Sequence, residues 1–510
     1  LKLVIRTDSL QLLGRLSRLL TKKGVRSYLV GGFVRDSLLG RDTADIDIAV
    51  AGDVLGIAAG AADALGGRYI TLDEENGVGR VVLNQDEGKL EIDFTMLKGD
   101  IEHDLAQRDF TIDAIALGLD GFTKTIDNPH DKTAEIEIGP GSLIDPFHGL
   151  DDLHSKVVRA TSDTAFKDDP ARLIRAVRLA AELEFSIDGG TEALIRRHSH
   201  LIVSIAGERV REELLRLLAL PQVGQHLVYL DRLGILTAII PELEVAKGVS
   251  QPPLHVWDVF DHSLKTVAAA EFLLREGDWE VDGDILATVP WSARLEKHFD
   301  QEVASNSTRR SLLKLAAFLH DIAKPPTKTV DGDGRARFLG HPQQGAEMAA
   351  AIMARLRFST REIKLVGLMV KNHLRPTQMS HEGLPTPRAI YRYFRDTGEA
   401  GIDILFLSLA DHLATRGNKL DMAQWQGHAS IVEHVLTRHF EEENLTAPPK
   451  LIDGHDLIKS FNLSPGPAIG ELLEAVREAQ AAGEINTRQQ ALDYVKHIVN
   501  GGQGPRQEPS

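Results

Sequence analysis

Two acidic residues two positions apart carry the first chemical signal. In Asp45-Ile46-Asp47-Ile48-Ala49-Val50 acidic and apolar residues alternate, the period of a strand. Successive strand side chains face opposite ways, so Asp45 and Asp47 project together while Ile46 and Ile48 face a core. Two carboxylates on one face repel unless a cation lies between them. Mg²⁺ suits the place, being held by one or two carboxylates together with substrate phosphates. Just upstream, Tyr28-Leu29-Val30 meets Gly31-Gly32, then an amphipathic run from Phe33 to Leu39 that Gly40 stops. That order reads strand, glycine turn, helix, strand. Glycines allow close approach of a triphosphate, the helix start offers N–H groups to an anion, and Arg35 adds a charge. No Lys-Ser/Thr pair follows the glycines, so this is not a nucleotide-binding P-loop. The chemistry implied is phosphoryl transfer.

A second set of ligand types lies far downstream. His262 stands in VFDHSL, His320-Asp321 in FLHDIAK, His341 in GHPQQGAEMA, His373 in VKNHLRP and Asp411 in LSLADHLA. Imidazole and carboxylate donors without thiolate suit Mn²⁺, Fe, Ni²⁺, Co²⁺ or Mg²⁺. Such an ion could activate water.

The elements that position these groups follow from periodicity. Residues 1–27 read as an amphipathic helix leading into the first strand, and Val54 to Leu65 as a helix. Val78 to Asn84 and Lys89 to Thr95 read as paired strands around Asp86-Glu87-Gly88. Asp93, on the second of these, is a candidate third carboxylate. Pro170 fits the first turn of a helix, which puts Asp169 and Arg172 on one face. Such a pair accepts from an amino group and donates in a planar fork, so it can read base edges.

At 510 residues the chain is expected to hold two to four domains. It has no cysteine, which excludes disulfides, thiolate metal sites and cysteine nucleophiles. No apolar run is long enough for a membrane span, and a cytoplasmic location is expected. The net charge of −16 argues against nonspecific coating of nucleic acid. A local basic stretch from Lys156 to Arg216 is the expected place for RNA. Glu276 to Asn306 reads as an acidic surface excursion, and 501–510 as a disordered terminus.

GGFVRDSLLG followed by DID resembles the head signature of the transfer-RNA nucleotidyltransferase and poly(A) polymerase family, in its bacterial class. Gln107-Arg108-Asp109-Phe110-Thr111-Ile112-Asp113-Ala114 resembles its second motif, with Gln107 for the first Arg and Asp113 for Asn. Asp168-Asp169-Pro170-Ala171-Arg172 resembles its Glu-Asp-x-x-Arg motif, and the histidine set the two-metal HD phosphohydrolase pattern.

The resemblance implies an α+β fold: a polymerase-beta-like nucleotidyltransferase head at 1–154, then an all-helical neck at 155–245. An HD domain at 246–440 and a helical tail at 441–500 follow. It implies Asp45, Asp47 and Asp93 as catalytic residues, with Mg²⁺ on Asp45 and Asp47. Gly31, Gly32, Arg35, Arg108, Asp169, Arg172, Arg175 and Arg178 are the implied nucleotide contacts. His262, His320, Asp321, His341, His373 and Asp411 would hold a transition metal or Mg²⁺. Partners implied are tRNA, CTP and ATP. Only residues 94–107 separate Asp93 from Arg108, where members that add a whole CCA end usually carry a longer loop. The shortness resembles enzymes that add two cytidines. Full CCA addition, addition of CC alone, poly(A) synthesis, and an HD hydrolase with an RNA-binding head all remain open at this point.

Overall fold

Alternating apolar positions build the sheet that carries the first site. The computed structural model describes residues 2–43, 45–85, 88–122, 132–139, 142–279, 285–379, 383–444 and 450–501. The strands are β1 (Lys2–Arg6), β2 (Ser27–Val30), β3 (Asp45–Val50), β4 (Arg68–Asp73), β5 (Val78–Gln85), β6 (Gly88–Met96), β7 (Ala116–Gly118), β8 (Thr133–Glu137) and β9 (Leu143–Ile144). Seven of them form one sheet in the order β4-β5-β6-β3-β2-β7-β9. Only β3 and β6 run parallel, and their register sets Asp47 opposite Asp93. Ile46 and Ile48 are buried, as the alternation requires, while Asp45 is exposed.

Helices α1 (Thr7–Lys22), α2 (Gly32–Leu39), α3 (Val54–Leu65) and α4 (Ile101–Ala106) complete the head. The expected N-terminal helix begins only at Thr7. Before it, Leu3 and Ile5 are buried between less buried neighbours, and β1 pairs antiparallel with β8. A two-residue period thus overrides the leucine-rich helical one next to it.

Leu143 to Leu153 reads as a linker in sequence, but Leu143 and Ile144 are the edge strand β9 of the main sheet. Asp145 then accepts from the N–H groups of Gly149 and Leu150, starting the next helix. Chain contacts define two compact units: 1–205 with Tyr229–Ile239, and Ala206–Val228 with the chain from Ile240 onward. The division runs through the stretch expected as a neck. In the first unit, the short helix α5 (Ala165–Asp168) precedes α6 (Arg172–Leu183). Pro170 therefore lies before the helix and not in its first turn. Asp169 is extended, and its carbonyl accepts from the Arg172 N–H at 3.2 Å, so the pair stays adjacent.

The second unit holds α7 (Val259–Leu273), α8 (Arg309–Leu319), α9 (His341–Arg355), α10 (Thr360–Asn372) and α11 (Gly401–Arg416). Each carries or adjoins a residue of the histidine set. The stretch expected as a surface excursion is partly core: Phe299 is fully buried, stacked on Trp291 at 5.9 Å and edge-on to Phe406 at 4.8 Å. The helices Gly454–Phe461, Pro467–Ala481 and Arg488–Val499 close around Leu457, Val476, Ala491 and Val495. Pro467 occupies the first turn of its helix, as its sequence position suggests. The expectations for Asp86-Glu87 and for 502–510 fall outside the described residues.

Candidate active site and candidate metal centre

At the head, the glycine turn and the carboxylate strand meet at one atom-scale cradle. Gly31 has φ +70°, a conformation that disfavours side chains, and space explains its identity further. A Cβ there would sit 2.9 Å from Arg108 Nη1 and 3.2 Å from Asp47 Oδ2. Burial raises the Asp47 carboxyl to about 6; Arg108 pulls it down while Asp93 and Asp45 push it up. A carboxylate so placed is short of positive charge, which fits a divalent cation. Arg108 leans on Asp104 of α4 at 3.4 Å, and its buried Nε has no hydrogen-bond partner.

Arg35 does not face outward as a free charge. It is buried, donating to Asp113 at 2.6 Å and to Asp36 at 2.9 and 3.0 Å. This explains the acidic residue at position 113: it neutralises the guanidinium beneath the glycine turn. Burial raises the Asp113 carboxyl despite Arg35.

Around the proposed base-reading pair, backbone atoms fix the side chains. Arg172 donates to the Gln107 carbonyl at 2.6 Å and to the Ala165 carbonyl at 3.2 Å. Asp169 accepts from the Ala171 N–H at 3.1 Å. Arg175 donates to Asp109 at 3.0 Å, and Arg178 pairs with Glu182. Burial would raise Asp109, but Arg175 and Arg172 hold it below the usual carboxylate range. Several cations of the basic stretch are thus neutralised internally: Arg159 by Asp152 and Asp188, Arg175 by Asp109, Arg178 by Glu182, and Arg196 by Glu192. Lys156, Lys167 and Arg197 remain exposed in this unit.

Sequence reasoning missed Arg80. From β5 it grips Asp93 with both arms of its fork, Nε to Oδ1 at 2.7 Å and Nη2 to Oδ2 at 2.8 Å, and also pairs with Glu91. The hairpin register was the available signal: it sets Arg80 opposite Asp93.

In the second unit all six expected ligands converge. His262 Nε2 lies 3.2 Å from His320 Nε2, 3.4 Å from Asp321 and 3.1 Å from Asp411. His341 Nε2 and His373 Nε2 lie 3.4 and 3.8 Å from Asp321. His320, His341 and His373 each set Nδ1 on a carbonyl three residues back, Ala317, Phe338 and Val370, at 2.7 to 2.8 Å. Those bonds orient Nε2 inward, the arrangement by which metal-binding histidines are held. Two groups, His262-His320-Asp411 and His320-Asp321-His373, have ligand atoms within 4.8 Å of one another.

The buried Asp321 oxygens and His341 Nε2 lack hydrogen-bond partners, although Lys324 Nζ stands 2.6 Å from Asp321 as a charge contact. The donor set fits a divalent ion. Burial lowers His373 to about 4, so its Nε2 lone pair is free near neutrality. Burial would lower His320 too, but Asp321 raises it. A cavity of about 490 Å³ opens on these groups, lined also by His255, His412, Lys324, Arg337 and Arg416. Of these five only Lys324 and His412 lie in stretches singled out in the sequence, those of His320-Asp321 and Asp411.

Models of four known domains match the chain. They are the poly(A) polymerase head domain at 27–159, a probable RNA- and SrmB-binding site of polymerase A at 184–247, the HD domain at 259–416, and a putative tRNA nucleotidyltransferase domain 2 at 343–495. The chain is 33% identical to the A-adding tRNA nucleotidyltransferase of Deinococcus radiodurans, over 92% of this chain and 94% of that protein. It is 31% identical to the CC-adding tRNA nucleotidyltransferase of Thermus thermophilus, over 93% and 94%. The fold resembles the Thermotoga maritima CCA-adding enzyme solved with tRNA, at TM-score 0.58 and 21% identity, covering 98% of this chain and 100% of that one.

Proposed function

Because the chain belongs to the transfer-RNA nucleotidyltransferase and poly(A) polymerase family, we propose that its head transfers cytidylyl groups from CTP to the 3′ end of tRNA, without a nucleic-acid template. It is an enzyme of the CCA-adding type; the choice of cytidine follows the resemblance of its short segment joining Asp93 to Arg108 to enzymes that add two cytidines, and the observation that supports one nucleotide rather than two is how that segment is held. Leu97 donates to the Val50 carbonyl at 2.9 Å, Asp100 caps α4, and Ile101 and Leu105 are buried. Little chain is left to reposition Arg108 or the Gln107 carbonyl that orients Arg172. A site that cannot be re-set between two bases favours one nucleotide.

Asp45 and Asp47 would hold Mg²⁺, with Asp93 beside them. Bound there, the ion supplies a more acidic acceptor hydroxyl and neutralises charge on the α-phosphate. The protein's own share is placement. Gly31 leaves room for the triphosphate, α2 presents its first N–H groups to it, and Arg108 lies across the gap from Asp47. Arg35, paired with Asp113 and Asp36, supports the turn from below. Asp169 and Arg172 offer an acceptor and a donor fork to a base edge.

The buried histidine centre favours a second reading alongside the first: metal-dependent hydrolysis of phosphomonoesters or cyclic phosphates in the adjoining cavity. Incubation with tRNA lacking its tail, or ending in CC, and with each labelled nucleotide tests the main reading. Two cytidines added to the tailless RNA and little adenosine added to the CC-ended RNA are expected. Adenosine added only to the CC-ended RNA would overturn the choice of cytidine.

A further inference from the structure

We propose that Arg80 is a positioning residue of the nucleotidyl-transfer site: it orients Asp93 and sets how strongly the carboxylate cluster attracts a divalent ion. The inference rests on the reading of Asp45, Asp47 and Asp93 as the catalytic carboxylates. Three observations carry it. First, the fork is complete, with Nε and Nη2 on separate oxygens of Asp93 at 2.7 and 2.8 Å, so it fixes both the place and the rotation of the carboxylate. Second, the register is fixed on both sides of Asp93, with Arg80 opposite it on β5 and Asp47 beside it on β3. The guanidinium thus holds Asp93 from the side away from Asp47. A carboxylate has about four lone-pair sites, so a fork on two leaves the others open.

The third observation is charge. Asp45, Asp47, Glu91, Asp93 and Asp104 share this region with two guanidiniums, Arg80 and Arg108. Negative charge is in excess, which a divalent cation reduces and which loss of Arg80 deepens by one. The cluster would then bind a cation more tightly while Asp93, no longer held, would meet it in the wrong orientation. Tighter metal binding with slower turnover is the signature. A side chain that merely braced the hairpin would not tighten metal binding.

The test compares the full-length wild type with Arg80→Met, Arg80→Lys and Asp93→Asn. Mn²⁺ binding is read from the electron paramagnetic resonance signal of the free ion, and CMP incorporation into tailless tRNA is read at saturating metal. Binding at the histidine centre is subtracted with a variant lacking both Asp45 and Asp47 carboxylates. Arg80→Met should bind Mn²⁺ at the head about tenfold more tightly, the effect of one added nearby charge, and turn over at least roughly tenfold more slowly. Arg80→Lys, which keeps the charge and loses the fork, should bind Mn²⁺ like the wild type yet still be slow. It also carries the test should Arg80→Met fail to fold, since wild-type turnover in Arg80→Lys overturns the role of the fork. Unchanged Mn²⁺ affinity in a folded Arg80→Met overturns the proposal while Asp93→Asn is inactive. Full turnover by Asp93→Asn overturns instead the reading on which it rests.

Discussion

The head and the histidine centre both gather carboxylates, yet they are built in opposite ways. In the head, Asp45 is exposed, Asp93 is gripped by Arg80, and Asp47 is raised to about 6. Among the described residues, no three carboxylate or imidazole ligands there approach within 4.8 Å of one another, whereas two such groups occur around His320. The histidine centre is buried, and backbone carbonyls orient three of its rings before any ion arrives. A site of mostly imidazole donors, whose two carboxylates each have histidines beside them, can be assembled in advance. A site of like charges cannot, and is completed by the cation and the phosphates that arrive with it. The difference predicts a weakly held ion in the head, exchanged with each nucleotide, and a resident one among the histidines.

The strongest way to break this contrast is to remove head carboxylates. Asp45→Ala or Asp47→Ala should lower nucleotide incorporation by roughly 10² to 10³-fold or more, the scale of removing preorganised charge stabilisation. Binding of tRNA, measured by filter retention, should stay within about twofold, because these groups act on the chemical step. Near-normal incorporation by both would dissolve the assignment of the head.

A smaller effect is expected one layer out. Asp169→Ala should relax discrimination among CTP, ATP, UTP and GTP by about 1 to 3 kcal/mol, on the scale of one bidentate base contact. Triphosphate affinity should change less than selectivity. Competition between labelled nucleotides reads this directly, and unchanged selectivity would remove Asp169 from base reading.

Acid sharpens the contrast more gently still. Asp47 has its carboxyl raised to about 6, chiefly by burial. Below that value it is protonated and must lose the proton to take a metal; above it the carboxylate is already charged. The Mg²⁺ concentration for half-maximal incorporation should therefore rise about tenfold per pH unit below pH 6 and level off above about pH 7. A metal requirement flat from pH 5 to 8 would show that Asp47 does not compete for protons.

How much of this was legible in the residues depends on how local each feature is. The strand carrying Asp45 and Asp47 announces itself, since alternation fixes both the element and the shared face. The six ligands of the histidine centre were legible as types, but their convergence depends on packing of α7 to α11, which no local period encodes. Arg80 needed two steps, a hairpin and its register, before it met Asp93. Asp113 was visible only as a departure from the family's motif; its reason, a buried Arg35 from a different element, lies in three dimensions. Strand β1 was hidden by the stronger leucine period of α1. Phe299, buried with the half-buried Trp291 stacked on it, sits in a stretch whose acidic composition masks it, and composition averages over what packing selects.

The most direct measurement sets Asp47→Ala beside His320→Ala in the full chain, scoring CMP incorporation into tailless tRNA and metal retained after dialysis. A crossed result is expected: Asp47→Ala keeps its bound metal and loses incorporation, while His320→Ala loses the metal and incorporates within about twofold of the wild type, since the two sites share no ligand. A folded His320→Ala that has lost incorporation would contradict it, because the histidine centre would then be part of nucleotide transfer.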